Sequence, residues 1–259
     1  MNPSTAQYWD RRLDALDWKT ATLRSSRSSW AKACRSFNAP ASAEGLDCLG
    51  PLAGKAVLEL GSGHGQGAVH LGARGARVTA LDISPQRCLE AGRQIAGAPV
   101  AKSIRFCAGR AERLPFGDGS FDAVFARDVL MYADPVAIAR ECRRVVRPGG
   151  KVVFVESLAG PFFLRAYRRL TSPRSYREFT RHLRFAELRA CGGSMQLSHA
   201  RPHYLFSLLA FAALFWLSSP RAHEILLEKL HPIDQSILER APFLARWAWR
   251  GTVAFTRTD

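Results

Sequence analysis

The chain has 259 residues, enough for one large α/β domain with a buried core, and its 47% apolar and 23% charged residues exclude an extended disordered protein. The formal charge of +15 favours an anionic partner such as nucleic acid or a lipid surface. Because the chain has only six lysines, an arginine-rich coding bias explains the excess equally well. Six scattered cysteines without a C-x-x-C pair favour reduced thiols over a metal site or disulfides, and no signal-peptide pattern opens the chain, so we expect a cytoplasmic protein.

Short apolar strands alternate with helical stretches from Lys55 to Glu156, a pattern typical of a parallel sheet. In chain order, the predicted strands are AVLEL, RVTALD, SIRFCAG, FDAVFARDV and KVVFVES. A brief helix is expected through His70 to Ala73, a second helix behind the Ser84 cap, and a third from Asp134 to Val146, followed by a turn at RPGG. Two later segments, MQLSHARPHY and RGTVAFTRT, alternate like half-buried strands.

Two segments beyond Glu156 stand apart from this rhythm. The stretch from Phe162 to Ala190 carries eight arginines among aromatic residues, and it predicts a loop followed by a helix that ends at Gly192. Tyr204 to Leu217 is apolar on every side except for Ser207. As a helix this run would span only about 21 Å, short of the roughly 30 Å hydrocarbon layer, so a buried helix is the ordinary expectation and an interfacial segment the alternative.

The segment LELGSGHGQG places glycines between a strand and a helix, where a nucleotide-like ligand commonly binds. The dinucleotide fingerprint fails in the frame starting at Gly61 because Gln66 occupies its last position. Glu59 would repel a nearby phosphate but would favour an ammonium group. Asp82, which closes the second strand, can accept hydrogen bonds from both hydroxyls of a ribose. A ribose and an ammonium without a phosphate describe S-adenosylmethionine.

Three segments together resemble the class I S-adenosylmethionine-dependent methyltransferases, in the branch with quinone-biosynthesis and small-molecule enzymes. They are VLELGSGHGQGAVHLGARGARVTALDIS, AGRAERLPFGDGSFDAVFARDVLMYADP and RECRRVVRPGGKVVFVES. The resemblance covers about Leu52 to Glu156. It implies a Rossmann-like, doubly wound seven-stranded sheet, mostly parallel with an antiparallel last strand, and helical lid insertions. It also implies S-adenosylmethionine as cofactor, S-adenosylhomocysteine as product, and no metal.

The resemblance also assigns cofactor-binding residues. It places the methionine end of the cofactor at Glu59, Gly61, Ser62 and Gly63, and the ribose at Asp82. One face of the adenine would lie against Ile83, and the edge of the adenine ring would accept from the backbone N–H of Ala111. Arg110 stands where the family usually has an acid that accepts from the adenine amino group, so it would stack on the ring or point to solvent. The full predicted set is Glu59, Gly61, Ser62, Gly63, Asp82, Ile83, Arg110, Ala111 and Arg127.

Catalytic candidates come from the segment after the fourth strand, which faces the ligand edge of such a sheet. Asp128 and Tyr132 stand where relatives carry histidines. Asp128 would take a proton from a hydroxyl or amine, or simply cap the next turn, and Tyr132 would orient the acceptor or merely pack. His64 among the glycines is a third candidate, with a structural role as its alternative. A carboxylic-acid acceptor would need no base.

Topology predicts where the acceptor binds. A connection from a parallel sixth strand to an antiparallel seventh begins and ends at the carboxyl edge, so it roofs the site. The expected organisation is an N-terminal helical lid over 1–50, the core over 51–204, a roofing insertion over 205–248 and the last strand over 249–259. Aromatic residues beside arginines in these roofs favour a lipophilic acceptor, O-methylation, and peripheral contact with an anionic membrane. An RNA methyltransferase and a non-catalytic subunit of a biosynthetic complex remain the alternatives, and nucleic acid is the less favoured partner.

Overall fold

A seven-stranded sheet organises the computed structural model, which describes residues 40–172, 174–210 and 219–259. The strand order is β3-β2-β1-β4-β5-β7-β6. In chain order, the strands are β1 Ala56–Leu60, β2 Arg77–Asp82, β3 Ile104–Ala108, β4 Phe121–Arg127, β5 Val146–Ser157, β6 Gln196–His203 and β7 Arg250–Thr256. Only β7 runs against its neighbours, β5 and β6. The predicted fold class is confirmed.

Helices cover both faces of this sheet. They are α1 Pro40–Cys48, α2 Gln66–Ala73, α3 Pro85–Ile95, α4 Pro135–Val145, α5 Phe162–Thr171, α6 Arg174–Phe179, α7 Phe185–Ala190 and α8 Pro220–Arg240, in the part of the chain that the structure describes. Ser84 begins α3 by accepting a hydrogen bond from the backbone of Arg87. Asp134 caps α4 in the same way, through the backbone N–H of Val136. Both helices have proline in their first turn, as the sequence predicts.

Two apolar cores lie on opposite faces of the sheet. Along β4, Ala123 and Phe125 pack into the core beneath α1 and α2, whereas Val124 and Ala126 pack into the core beneath α4 and α7. Successive side chains of a strand point to opposite faces, and a parallel sheet covered on both faces therefore requires apolar residues throughout. This requirement explains the continuous apolar runs that predicted the strands.

Two segments differ from the expectation. The turn expected at Arg147 to Gly150 lies inside β5, which begins at Val146 and bulges there, since its register with β4 shifts between Phe121 and Ala123. After β5 the chain forms three short helices, α5 to α7, in place of one loop and one helix. The aromatic and arginine spacing indicated helix in this stretch but did not fix where the helices break.

Parts of the predicted lids fall outside the described residues. These parts are residues 1–39 of the N-terminal lid and residues 211–218 of the apolar run, which include Phe211, Phe215 and Trp216. Helix α1 belongs to the described part, and it packs on a face of the sheet: a Cβ on its Gly45 would stand 2.4 Å from the Val155 side chain. No helix among the described residues is long and apolar enough to cross a membrane.

An ion pair fastens β4 to β7 across the intervening β5. The guanidinium of Arg250, at the start of β7, donates to both carboxylate oxygens of Asp128, at 3.0 and 2.9 Å. Asp128 has φ 56°, in the left-handed region, and its backbone N–H donates to the Val155 carbonyl of β5 at 3.0 Å. A non-glycine residue held in this conformation marks a position that its surroundings fix firmly.

We expect Arg250→Met to lower the free energy of unfolding by about 2 kcal/mol, because it removes a buried guanidinium and leaves the Asp128 carboxylate, which is 31% exposed, without its bidentate partner. Arg174→Met is the matched control, since Arg174 pairs with Glu178 at the surface and should contribute under about 1 kcal/mol. Urea denaturation measures both changes. If the two variants lose the same stability, the pair does not fasten the strands. Adding Asp128→Asn to Arg250→Met should recover part of the loss.

Candidate active site

The glycine loop joins β1 to α2 through three residues in the left-handed region: Gly61, Gly63 and Gly65 have φ of 65°, 53° and 82°. A side chain at Gly61 would also collide with a neighbour, because its Cβ would stand 2.5 Å from a methyl group of Val129. The close approach that requires glycine at this position therefore comes from the segment after β4. The backbone N–H of Ser62 donates to the Leu81 carbonyl at 3.1 Å, which ties the loop to β2.

Glu59 lies buried beneath this loop, with 4% of its surface exposed. Its atom Oε2 is buried and accepts no hydrogen bond. Burial, and next the charge of Asp82, raise the pKa of Glu59 to about 8. A buried carboxyl group with an unused oxygen favours a cationic hydrogen-bond donor, because such a donor would supply both the missing hydrogen bond and the opposite charge.

Asp82 fixes the loop from the neighbouring strand. One carboxylate oxygen accepts from the backbone N–H of Gly63 at 2.9 Å, and the other accepts from that of Ser84 at 3.0 Å. Asp82 therefore has a structural role in this loop. Each carboxylate oxygen can accept more than one hydrogen bond, so these contacts leave Asp82 able to accept from ligand hydroxyls.

Two adjoining cavities open at this edge of the sheet. The larger, of about 220 Å³, is lined by Gly61, Leu81, Asp82, Ile83, Arg87, Gly109, Ala111, Arg127, Asp128, Val129 and Tyr132. The smaller, of about 160 Å³, is lined by Glu59, Gly61, Ser62, Gly63, His64, Gln66, Gly67, Arg127 and Asp128. Gly61, Arg127 and Asp128 line both cavities. The structure thus brings together every residue predicted for the cofactor or for catalysis except Arg110.

Arg110 is the exception. Its side chain is 43% exposed and lies 3.6 Å from the Glu112 carboxylate, and it lines neither of the two cavities. Its neighbour Ala111 does line the larger cavity. This position fits the predicted alternative in which Arg110 points to solvent, and its contact with the adenine stays a prediction.

The proposed catalytic groups have distinct protonation behaviour. Burial raises the pKa of Asp128, but the charges of Arg250 and Arg127 outweigh it and hold that pKa below its usual range. Burial also raises the pKa of Tyr132 well above its usual range, so its hydroxyl stays protonated. Burial and the charge of Arg87 lower the pKa of His64 to about 3, so its ring is neutral near pH 7. Asp128 is consequently a weak base.

Glu156 is a buried acid of this edge that sequence reasoning missed. One of its oxygens accepts from the backbone N–H groups of Val129 at 2.8 Å and Leu130 at 2.9 Å. Burial, and next the charge of Asp128, raise the pKa of Glu156 to about 8. Its position resembles that of Glu59, as an acid near the end of an apolar strand, and this signal could have identified it.

Two arginines of the site were missed as well. Arg87 lies on α3 and lines the larger cavity, and Arg250 holds Asp128 from β7. No local pattern could reveal Arg250, because 122 positions separate it from its partner. Among residues 40–172, 174–210 and 219–259, no three His, Cys, Asp or Glu side chains are grouped so that they could hold a metal ion.

Comparisons with known proteins agree with this geometry. Residues 58–154 match the family model described as a methyltransferase domain. A demethylmenaquinone methyltransferase of Beutenbergia cavernae is 39% identical over 118 residues, which cover 45% of this chain and 47% of that protein. A demethylmenaquinone methyltransferase of Clavibacter sepedonicus is 36% identical over 115 residues, covering 44% of this chain and 45% of that protein. The chain thus aligns with about half the length of these curated relatives.

Solved structures match over more of the chain. Geranyl diphosphate C-methyltransferase from Streptomyces coelicolor, in complex with Mg²⁺, geranyl diphosphate and S-adenosylhomocysteine, superposes with a TM-score of 0.65. The match covers 99% of this chain and 98% of that one at 17% identity, so it supports the fold alone. A geranyl diphosphate methyltransferase in complex with S-adenosylmethionine gives a TM-score of 0.61 at 18% identity, over 92% of this chain and 94% of that one. The resemblance to class I S-adenosylmethionine-dependent methyltransferases that the sequence predicted is confirmed, with the match to a methyltransferase domain lying in residues 58–154.

Proposed function

We propose that this protein transfers a methyl group from S-adenosylmethionine to a small lipophilic acceptor and releases S-adenosylhomocysteine. The observation that carries the proposal is the buried Oε2 of Glu59, which accepts no hydrogen bond beside the glycine loop. This atom suits the ammonium group of the cofactor, and Asp82 suits its ribose hydroxyls. Ile83 and Ala111 line the larger cavity and would contact the adenine.

Methyl transfer from a sulfonium depends more on how the cofactor and the acceptor are positioned than on acid or base catalysis. When bound, the cofactor supplies an electrophilic methyl group on a sulfonium, and well-oriented reacting pairs reach effective molarities of roughly 10⁵ to 10⁸ M. Asp128 is fixed by Arg250 and lines both cavities, so we assign it a positioning role at the boundary between cofactor and acceptor. Tyr132 lines the larger cavity, and we assign it the predicted role of orienting the acceptor.

The protonation states of the site favour an acidic oxygen as the methyl acceptor. The candidate bases are poor ones: Asp128 has a lowered pKa, the His64 ring has a pKa of about 3, and Glu156 lines neither of the two cavities at the glycine loop. An aliphatic hydroxyl would need a stronger base. A carboxylic acid is already ionised near pH 7, and a phenol, with a pKa of about 10, gives up its proton far more easily than an aliphatic hydroxyl, so we propose O-methylation of such a group.

A lipophilic acceptor is supported by apolar side chains exposed in the roofing segments. Phe206 and Leu209, which follow β6, are 57% and 56% exposed, and Phe243 and Trp247, which precede β7, are 64% and 45% exposed. Both segments connect to strand ends at the carboxyl edge. The names of the relatives refer to demethylmenaquinone, a lipophilic molecule, which supports the same class of acceptor.

Helix α5 supports reversible contact with an anionic membrane. Phe163, Tyr167 and Leu170 follow the i, i+4, i+7 spacing of one helix face, and they are 51%, 40% and 85% exposed. Arginines of the same helix add attraction to anionic lipids, which salt screens, whereas burial of the apolar face is not screened. The proposed membrane contact thus combines two forces that experiment can separate.

The binding of S-adenosylhomocysteine should release close to one proton at about pH 6.5, because the Glu59 carboxyl, with a pKa of about 8, is protonated in the free protein and must ionise beside the ligand ammonium. For the same reason, affinity should rise as the pH approaches 8. Calorimetry in buffers of different ionisation enthalpy measures the protons. Glu59→Gln, which keeps the shape but has no proton to lose, is the control and should bind without release. Equal release by both proteins would refute the role of Glu59.

A tritiated methyl group of S-adenosylmethionine should appear in a solvent-extractable small molecule when the protein is mixed with a lipid extract of its source cells. An ester or an aryl ether in that product would agree with an acidic oxygen acceptor. Labelled RNA would support the rival enzyme class instead. If the protein binds S-adenosylhomocysteine but labels no fraction, the non-catalytic alternative gains, and the transferase proposal is wrong for this chain.

Co-sedimentation with phosphatidylglycerol vesicles should decrease strongly for the double variant Phe163→Ser/Leu170→Ser, because about 25 cal/mol is lost for each Å² of apolar surface no longer inserted. For the wild type, part of the binding should persist at about 0.5 M salt. Leu89→Ser is the matched control, as Leu89 is 59% exposed on α3. A wild type that fails to sediment at low salt, or a control that loses as much binding, would contradict the membrane proposal.

A further inference from the structure

A third cavity, of about 270 Å³, lies between α5, α6 and the segment that follows α6. Its lining residues are Ala159, Arg165, Arg168, Arg169, Ser172, Tyr176, Arg177, Thr180 and His182. Four of them are arginines, and none is an aspartate or a glutamate. The cavity is therefore strongly positive and rich in hydrogen-bond donors.

The arginines inside the cavity differ from those beside it. Among the described residues, neither Arg165 nor Arg169 forms an ion pair with an acid. By contrast, Arg174 pairs with Glu178 on α6, and Arg181, which follows α6, pairs with Glu187 on α7. The available acids of this segment thus neutralise the outer arginines and leave the cavity uncompensated. Arg165, Arg169 and Arg177 are exposed, so a ligand can reach their guanidinium groups from solvent.

The cavity is attached rigidly to the end of β5. Arg168 donates to the carbonyl oxygens of Leu158 at 2.7 Å and Ala159 at 3.2 Å, and to the Ser157 hydroxyl at 3.2 Å. The ring of His182 lies 3.4 Å from the Ser157 carbonyl. Because these contacts use backbone atoms at the carboxyl edge, the cavity has a fixed position relative to the candidate active site.

Two tyrosines connect this cavity to the cofactor cavity. Tyr176 lines the basic cavity and Tyr132 lines the larger of the two cavities at the glycine loop. Their rings meet edge to face with centroids 6.4 Å apart. An acceptor lying along these rings could therefore present one end to the methyl group and the other to the arginines.

We propose that the basic cavity binds a phosphate group carried by the methyl acceptor and so selects phosphorylated amphiphiles over neutral lipids. This inference rests on the proposed function for its placement of the methyl group, but the anion site itself can be tested alone. Phosphate fits better than a single carboxylate, because several uncompensated guanidinium groups match an anion with more than one charge and more than two acceptor oxygens. The apolar part of the acceptor would lie toward the exposed aromatic residues of the roof.

Titration of the full-length protein with inorganic pyrophosphate, at constant ionic strength and with S-adenosylhomocysteine present, tests the site. We expect saturable binding of one pyrophosphate per chain. Arg165→Gln or Arg169→Gln should weaken this binding by about fivefold or more, since each removes a charge-assisted donor. The control Arg174→Gln removes the same charge from a residue that does not line the cavity, and it should leave affinity within about twofold. Absence of saturable binding, or equal weakening by the control, would overturn the proposal.

Two further measurements separate the possible sources of failure. The first is the binding of S-adenosylhomocysteine by the wild type and by each variant. If the wild type does not bind S-adenosylhomocysteine, the proposed function is wrong, but the pyrophosphate titration still tests whether the cavity binds an anion. Phosphatidylglycerol vesicles provide the second arm. If vesicle binding depends on Arg165 and Arg169 while soluble pyrophosphate does not bind, the cavity binds a lipid headgroup in the membrane. The proposal that it binds a phosphate group of the methyl acceptor is then wrong.

Discussion

The cost of burying carboxyl groups is the constraint on which this site depends. Four neighbouring strands, β2, β1, β4 and β5, each bring an acid to the carboxyl edge: Asp82, Glu59, Asp128 and Glu156. A buried carboxylate is tolerated only when hydrogen bonds or opposite charges compensate for lost water. Backbone N–H groups compensate Asp82 and Glu156, and a guanidinium compensates Asp128, whereas Glu59 faces a cavity.

Three of the four acids are occupied within the protein. Asp82 accepts hydrogen bonds from the backbone N–H groups of Gly63 and Ser84. Glu156 accepts hydrogen bonds from two backbone N–H groups in the segment after β4. Asp128 is held by the guanidinium of Arg250. Glu59 and Glu156 each keep a buried oxygen, Oε2, that accepts no hydrogen bond. Because Glu59 lines the cavity at the glycine loop, it is the acid that a cationic ligand can complete.

The segment after β5 extends this logic to the acceptor side. Arg168 and His182 attach the lid to the backbone at the end of β5, and Tyr176 meets Tyr132 at the boundary of the site. This segment therefore places arginines beside the four acids of the carboxyl edge, and the two tyrosines lie between the arginines and the acids. Such a separation lets one end of the pocket favour a cationic cofactor and the other favour an anionic acceptor.

Local patterns predicted most of the sheet and the cofactor half of the site. Alternating apolar runs identified the strands, and Glu59, the glycines and Asp82 were found because their roles depend on neighbours near them in sequence. The pairing of Asp128 with Arg250 was not predictable, since it arises only when β7 inserts beside β5. For Arg110 the sequence left two conformations open, stacking on the adenine or pointing to solvent, and the exposed side chain beside Glu112 fits the second.

A crystal structure of the protein with S-adenosylhomocysteine tests the central claim most directly. The account predicts that the amino nitrogen of the ligand lies within hydrogen-bond distance of Oε2 of Glu59, about 2.7 to 3.2 Å, and that the ribose hydroxyls lie equally close to the Asp82 carboxylate. An amino group bound elsewhere, with Oε2 of Glu59 still lacking a hydrogen bond, would contradict it.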